Sequence, residues 1–291
     1  MKIIFSSLVC LAFHFLFTQD LPAYIIYTKK GKKTSYSKMK KELLTKKLVF
    51  FGELHDNPIA HWLEYEILKE LHNKHQNNLI CGSEMYERDN QDALNKYISG
   101  VYTEKKFKDS CRLWSNYKTD YQPLLDYIKN GHDSTITKTW VATNIPRKYA
   151  SLVFKKGLKS LDSLSIKEKN WMCPLPFPVD TTLSQYASLL NGELHMGNNF
   201  VYAQAIKDAT MGYFISKSLK ENSVFYHING CFHSDFTQGI LWYVNYYSKI
   251  PLDQMITISV VTQSNISKLD KEFLGKADYI ISIPETMTKT Y

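Results

Sequence analysis

The chain has no Cys-x-x-Cys pair, no internal repeat and no low-complexity stretch. Beyond its first twenty residues it also has no run apolar enough to cross a membrane. Each absence removes a class. The five cysteines of the 291 residues fall at no metal-finger or redox spacing. Cys81 and Cys231 sit in strand-like apolar runs and read as buried thiols, whereas Cys111 and Cys173 lie in less regular stretches. An oxidising compartment would permit a disulfide between those two. Without a repeat, solenoids and propellers are excluded. Lys+Arg 36 against Asp+Glu 28 leaves a net charge of +8, concentrated in runs such as Lys29-Lys30-Gly31-Lys32-Lys33 and Lys38-Met39-Lys40-Lys41. Aromatics are not interleaved with these lysines, which argues against a nucleic-acid platform. The runs read as a solvated basic face, with attraction to an anionic surface or ligand as the alternative.

Residues 1–19 are set apart from the fold. Lys2 precedes a mostly apolar run from Ile3 to Phe17, followed by polar Thr18-Gln19-Asp20. The run is short for a membrane span and suits the core of a secretory signal; a buried first strand is the alternative. Cys10 lies inside the run rather than at its end, which favours a soluble exported protein over a lipoprotein. The expected organisation is a signal peptide over 1–19 and one domain over 20–291.

Within that domain, strand and helix signals alternate. Strands are predicted at Tyr24–Tyr27, Lys47–Phe51, Leu79–Ser83, Thr139–Thr143, Ser223–Ile228, Met255–Val261 and Tyr279–Ile283. Helices are predicted at Ser35–Thr45, Pro58–Lys74, Asp89–Tyr97, Tyr121–Asn130, from Pro146, and at Asn199–Lys220 and Gln238–Tyr247. Leu63, Ile67 and Leu71 fall on one helical face; His61 and His72 read as surface positions of the same helix. The stretch at about 161–197, with Pro174, Pro176 and Pro178, reads as an irregular or helical insertion and a candidate lid. The alternation predicts an α/β fold, a mostly parallel sheet covered by helices.

Two segments share a pattern. Val49-Phe50-Phe51-Gly52-Glu53-Leu54-His55-Asp56 and Val224 through Asn229-Gly230-Cys231-Phe232-His233-Ser234-Asp235 each run apolar, break at Gly-x-x-His and end acidic. Buried parallel strands deliver such residues at their carboxyl ends, where α/β sheets hold ligands. Glu84, with Glu87 three residues on, closes another predicted strand. Glu53, His55, Glu84 and His233 are therefore the candidate catalytic set. His55, Glu84 and His233 are the candidate ligands of a divalent transition metal, because imidazole and carboxylate suit zinc, manganese or iron. The same groups can do acid–base work without a metal, or cap helices and satisfy loops. Asn144 and Arg147 at a strand-to-helix turn, and Gln204 and Asp208 on one helical face, are candidates to orient the site. His195, beside Glu193, is a weaker ligand candidate. Tyr86, Tyr202, Tyr213, Tyr226, Tyr243, Tyr246 and Tyr247 are the tyrosines near the motifs.

Five segments in order resemble the ChaN-like haem-binding uptake family: Phe51–Pro58 (FGELHDNP), Gly82–Met85 (GSEM), Ala142–Arg147 (ATNIPR), Ala203–Met211 (AQAIKDATM) and Asn229–His233 (NGCFH). The resemblance spans about residues 47–261. It implies the α/β fold of the wider Tiki and erythromycin-esterase-like superfamily. It also implies an exported protein, periplasmic or outer-membrane associated, that holds haem for iron or haem acquisition and works with uptake machinery. A flat haem between two subunits, hence a homodimer, is part of that expectation. In metal-dependent relatives the Gly-x-x-His motifs and a strand-end Glu form the active site, roles that map to His55, Glu84 and His233 with Glu53 alongside. The alternative function is therefore a metal-dependent hydrolase. Family members are often lipoproteins, but no lipobox surrounds Cys10. The family's haem-ligand tyrosine lies in none of the matched segments.

Overall fold

The structure, a computed structural model, describes residues 21–131, 139–191 and 197–291. The expected signal segment and the pair Glu193/His195 lie outside the described residues.

Eight strands form one sheet: β1 (Ile25–Thr28), β2 (Lys33–Thr34), β3 (Leu48–Glu53), β4 (Leu79–Glu87), β5 (Trp140–Asn144), β6 (Val224–Gly230), β7 (Met255–Gln263) and β8 (Tyr279–Pro284). Their order across the sheet is β2-β1-β8-β7-β3-β6-β4-β5. Strands β8 through β5 in that order run parallel to one another, as expected, while β1 and β2 add an antiparallel edge. The described helices are α1 (Tyr36–Leu43), α2 (Pro58–His75), α3 (Gln91–Ile98), α4 (Glu104–Ser110), α5 (Gln122–Asn130), α6 (Arg147–Lys156), α7 (Ile166–Lys169), α8 (Ser184–Asn191), α9 (Asn198–Ser218) and α10 (Ile240–Ser248).

Every residue of β3 is buried, as an interior parallel strand requires when helices cover both faces. Successive side chains point to opposite faces. Val49 and Phe51 join the core that contains Leu63, Ile67 and Leu71 of α2, whereas Leu48 and Phe50 join Met211 and Phe214 of α9 and Ile240 of α10. Helix α2 starts where the first motif ends. Asn57 Oδ1 accepts from the amides of Ile59 and Ala60 at 3.0 and 3.1 Å, and Pro58 occupies the first turn, where no amide is needed.

Three departures from the sequence reading matter. Strand β4 continues to Glu87, past Ser83, with a register break against β5 between Ser83 and Glu87. Such a bulge re-aims the side chains inside it, and Glu84 is one of them. His61 is 6% exposed, not a surface residue; its helix packs that side onto the end of β3. The 161–197 stretch carries α7 and α8 among its described residues, and α8 is fastened to the second motif. Gln185 Nε2 donates to the carbonyl of Phe232 at 3.0 Å and its amide donates to Gln238 Oε1 at 3.0 Å. Cys111 and Cys173 are both free thiols, so the permitted disulfide is not formed.

Candidate functional site

The two Gly-x-x-His motifs lie on neighbouring strands. In the parallel pair β3–β6, Gly52 is opposite Asn229 and Glu53 opposite Gly230. Strand β4 flanks β6 on its other side, with Ser83 opposite Ile228. Three carboxyl ends therefore open side by side and present His55, His233 and Glu84 to one crevice. The glycines are needed because the turns fold back on the strands. A Cβ on Gly52 would stand 2.9 Å from Cys231 Cα, and one on Gly230 would stand 2.8 Å from His55 Nε2.

Each histidine is backed by a carboxylate. Glu53 Oε1 lies 2.6 Å from His55 Nδ1 and accepts the Tyr121 hydroxyl at 2.7 Å. Asp208 Oδ1 lies 2.5 Å from His233 Nδ1, and its other oxygen accepts the Tyr186 hydroxyl at 2.6 Å. Glu84 sits between the dyads: Oε1 is 3.3 Å from His233 Nε2, and Oε2 accepts the amide of Gly230 at 2.9 Å. The His55 carbonyl is held by Asn116 Nδ2 at 2.9 Å and faces His61 Nε2 at 3.2 Å.

The charges are mutually dependent. Burial alone would raise the Glu84 and Glu53 carboxyls, but the histidines beside them hold both well below the usual carboxylate range. Burial disfavours protonated His233, yet Glu84 and Asp208 outweigh it and bring its pKa up to about 10. His55 is displaced upward against burial by its bond to Glu53 and the charge of Glu84. Its Nε2 makes no hydrogen bond with a described residue.

The crevice encloses about 780 Å³, within the range of about 300–1,000 Å³ usual for ligand pockets. Trp114, Leu113, Ile145 and Phe232 form apolar walls; Arg112, Arg147, Lys207, Gln204 and Asn144 supply polar lining. Trp114 meets the His55 ring edge-on at 4.7 Å between centroids. A larger cavity of about 940 Å³ lies between the 162–176 segment and α9, but no histidine lines it. Chemistry, not size, therefore singles out the crevice.

Of the residues singled out in sequence, Glu53 stands behind His55 rather than in the crevice lining, and Asp208 stands behind His233. Asn144 Nδ2 donates to the Glu84 carbonyl at 3.0 Å. Arg147 and Gln204 line the crevice. None of the tyrosines named near the motifs does, and among the described residues no tyrosine lines it. Sequence reasoning missed Trp114, Arg112 and Lys207, and the buried group Tyr121, His61, Glu64 and Asp120 behind Glu53. Tyr121 ends a single π-type turn, Tyr117–Tyr121, that has no sequence signature. Glu64 did leave a signal: it falls four residues after Ala60 and three before Ile67, inside the apolar stripe of α2.

Comparison with known proteins completes the picture. No curated protein matches the sequence. The fold is similar to that of ChaN of Campylobacter jejuni, solved for its cofacial haem binding, with a TM-score of 0.60 at 18% identity over 89% of this chain and 96% of that one. It is also similar to a succinoglycan biosynthesis protein, with a TM-score of 0.52 at 11% identity over 87% of this chain and 91% of that one. At such identities these likenesses speak for the fold alone. The family model for haem-binding uptake proteins of the Tiki superfamily, ChaN, matches residues 39–244. The chain belongs to that ChaN-like haem-binding uptake family.

Proposed function

We propose that this protein binds haem in the crevice at the β3, β6 and β4 ends and serves haem or iron acquisition as an exported protein. One observation carries the reading. Arg147 and Lys207 stand where the crevice meets an adjoining notch of about 230 Å³ that also contains Phe154, Phe200, Ala150 and Ala203. Neither cation makes an ion pair or hydrogen bond with a described residue; the field of Lys207 reaches Glu84. Two uncommitted cations beside an aromatic pair suit a flat apolar ligand that carries two carboxylates. Haem is such a ligand, and the crevice has the volume and the apolar walls to receive part of it. His55 Nε2 is the ligand we assign to the iron, with Glu53 fixing the ring. When bound, haem supplies an iron centre and the transported cargo. The protein's residues bind the propionates, cover the macrocycle and exclude water.

Titration with ferric haem should produce a shifted Soret band, and Arg147→Glu/Lys207→Glu should weaken uptake by about tenfold or more, since each charge-assisted contact is worth roughly 1.5–3 kcal/mol. Uptake should also weaken toward acid pH, because the raised pKa of His55 keeps a proton on the ring that iron must displace. A protein that leaves the haem spectrum unchanged would end the proposal. A charge-transfer pattern typical of tyrosinate would move the ligand away from His55.

Export, to the periplasm or the outer membrane, is supported by the Lys2-headed apolar run. We further propose that two chains share a haem pair, as the cofacial haem of the Campylobacter protein suggests, and that uptake machinery receives it.

A second reading, a metal-dependent hydrolase, is favoured by one feature: two carboxylate-backed imidazoles flank a third carboxylate. That arrangement is suited to holding a metal through His55, Glu84 and His233 and to moving a proton. Metal content that is unchanged in a His55→Ala/His233→Ala variant would count against it.

A further inference from the structure

Behind the crevice, Glu53 has a second set of neighbours. We propose that Glu53, His61 and Glu64 form a separate, closed site for a divalent cation of the zinc or manganese class. This goes beyond the haem reading and stands independently of it. One ligand atom from each residue lies within 4.8 Å of the others, and all three residues are buried. Glu53 Oε2 and Glu64 Oε1 accept no hydrogen bond. A buried carboxylate oxygen without a partner costs of order 1–3 kcal/mol or more, and here two such atoms belong to one cluster.

The surrounding groups orient the three side chains as an outer layer orients metal ligands. His55 and Tyr121 occupy Oε1 of Glu53, leaving Oε2 to face inward. The Nε2 of His61 faces Asp120 Oδ2 at 3.3 Å, while its Nδ1 stands 3.4 Å from both Glu53 Oε2 and Glu64 Oε2. Asp120 is itself fixed by Asn116 Nδ2 at 2.7 Å and Thr290 Oγ1 at 2.9 Å. The competing arrangement is a protonated His61 beside a proton shared by the two glutamates. Charge-assisted N–H···O bonds settle near 2.7–2.9 Å, so the contact of Nδ1 with Glu64 Oε2 at 3.4 Å is a long one. A cation bonded at about 2.0–2.2 Å to each ligand would fill the space between them. Oxygen and imidazole donors without a thiolate suit zinc or manganese. Such an ion would tie the end of β3 to the start of α2 beneath His55.

The test uses the full chain, purified without added metal and then exposed to Zn²⁺ or Mn²⁺ separately. Elemental analysis should find about one equivalent of cation in the Glu84→Gln/His233→Ala variant, which lacks two of the three crevice ligands but keeps the His55 and Tyr121 contacts of Glu53, and none once Glu64→Gln is added to it. Unfolding and refolding with a chelator should lower the melting temperature of the double variant, and Zn²⁺ or Mn²⁺ should restore it. Should Glu64→Gln fail to fold, the Co²⁺-loaded double variant decides, because Co²⁺ held by carboxylate and imidazole in a closed four-coordinate site gives a far more intense d–d spectrum than hydrated Co²⁺. Absence of that spectrum, or a double variant without metal and indifferent to chelator, overturns the proposal and leaves a shared proton in the cluster. Haem uptake is read separately by the Soret band, so failure of one reading is distinguishable from failure of the other.

Discussion

Asp208→Ala should melt about 10 °C below the wild type, since breaking a buried charge pair costs about 3–5 kcal/mol and a domain of this size loses roughly 2–4 °C per kcal/mol. Asp208 is fully buried and joins three parts of the fold: its own α9, Tyr186 of α8, and His233 in the turn after β6. Removal leaves a charged imidazole and a phenol hydroxyl in the interior without their acceptor. Asp208→Asn keeps the shape and one acceptor, so its loss should be smaller. Calorimetry at neutral pH is the measurement, and a melting temperature of Asp208→Ala within about 1 °C of wild type would show that His233 draws its stability from elsewhere. Asp208 is a positioning residue. Its alanine variant should therefore also loosen the His233–Glu84 contact, read as a changed imidazole resonance, whereas Asp208→Asn should largely restore that signal.

The second large effect is on acid stability. His227 on β6 is fully buried. Burial, only partly offset by its bond to Asn229, lowers its pKa from 6.5 to about 4. Its Nδ1 faces Asn229 Oδ1 at 3.0 Å and its Nε2 faces Thr143 Oγ1 at 2.8 Å. The neutral ring satisfies both if Nδ1 donates to Asn229 and the Thr143 hydroxyl donates to Nε2. A second proton on Nε2 would turn that hydroxyl to the Ser83 carbonyl, 2.9 Å away, so what protonation costs is a desolvated charge rather than a lost hydrogen bond.

The sign follows from the lowered value. Between pH 6.5 and 4 the unfolded chain takes up a proton that the native protein refuses, so stability present above pH 6.5 is lost as pH falls. At about 1.4 kcal/mol per unit the loss is about 3 kcal/mol. His55, His61 and His233 are displaced upward; they add stability as pH falls toward 6.5 and nothing below it. The depressed Glu53 and Glu84 lose their contribution only below their ordinary value of 4.5. From pH 6.5 to 4.5 His227 and, with a smaller share, His75, which burial also lowers, take stability away as pH falls, while the buried carboxyls of Glu64 and Asp235, displaced upward, act in the opposite direction. Urea unfolding across that window should show stability falling toward acid more steeply in the wild type than in His227→Gln, by up to about 1.4 kcal/mol per pH unit. Equal slopes would mean that His227 is protonated in the native state.

Much of the fold was legible in particular residues. The apolar runs ending at Gly52 and Gly230 marked two interior strands, and Pro58 after Asn57 marked the start of α2. The π-type turn at Tyr117–Tyr121 and helix α4 left no comparable pattern. Periodicity reports which face of an element is apolar, not what polar atoms its buried face will meet. His61 shows the difference: it looks like an ordinary helix residue until α2 is laid across the end of β3. Trp114 and Arg112 show it again, since they come from an unpatterned stretch that reaches the crevice only through the packing of its neighbours.

Sequence by itself determined the strand and helix alternation, the two Gly-x-x-His ends and the family to which they belong, because local hydrophobic period and turn chemistry are properties of neighbouring residues. Tertiary structure decided that β3 and β6 are adjacent, that a bulge in β4 turns Glu84 between the two histidines, and that Glu53 faces a crevice dyad through one oxygen and a buried cluster through the other. Those relations depend on strand order and burial. They are set by contacts between residues far apart in the chain, where desolvation and charge act through space rather than along the backbone.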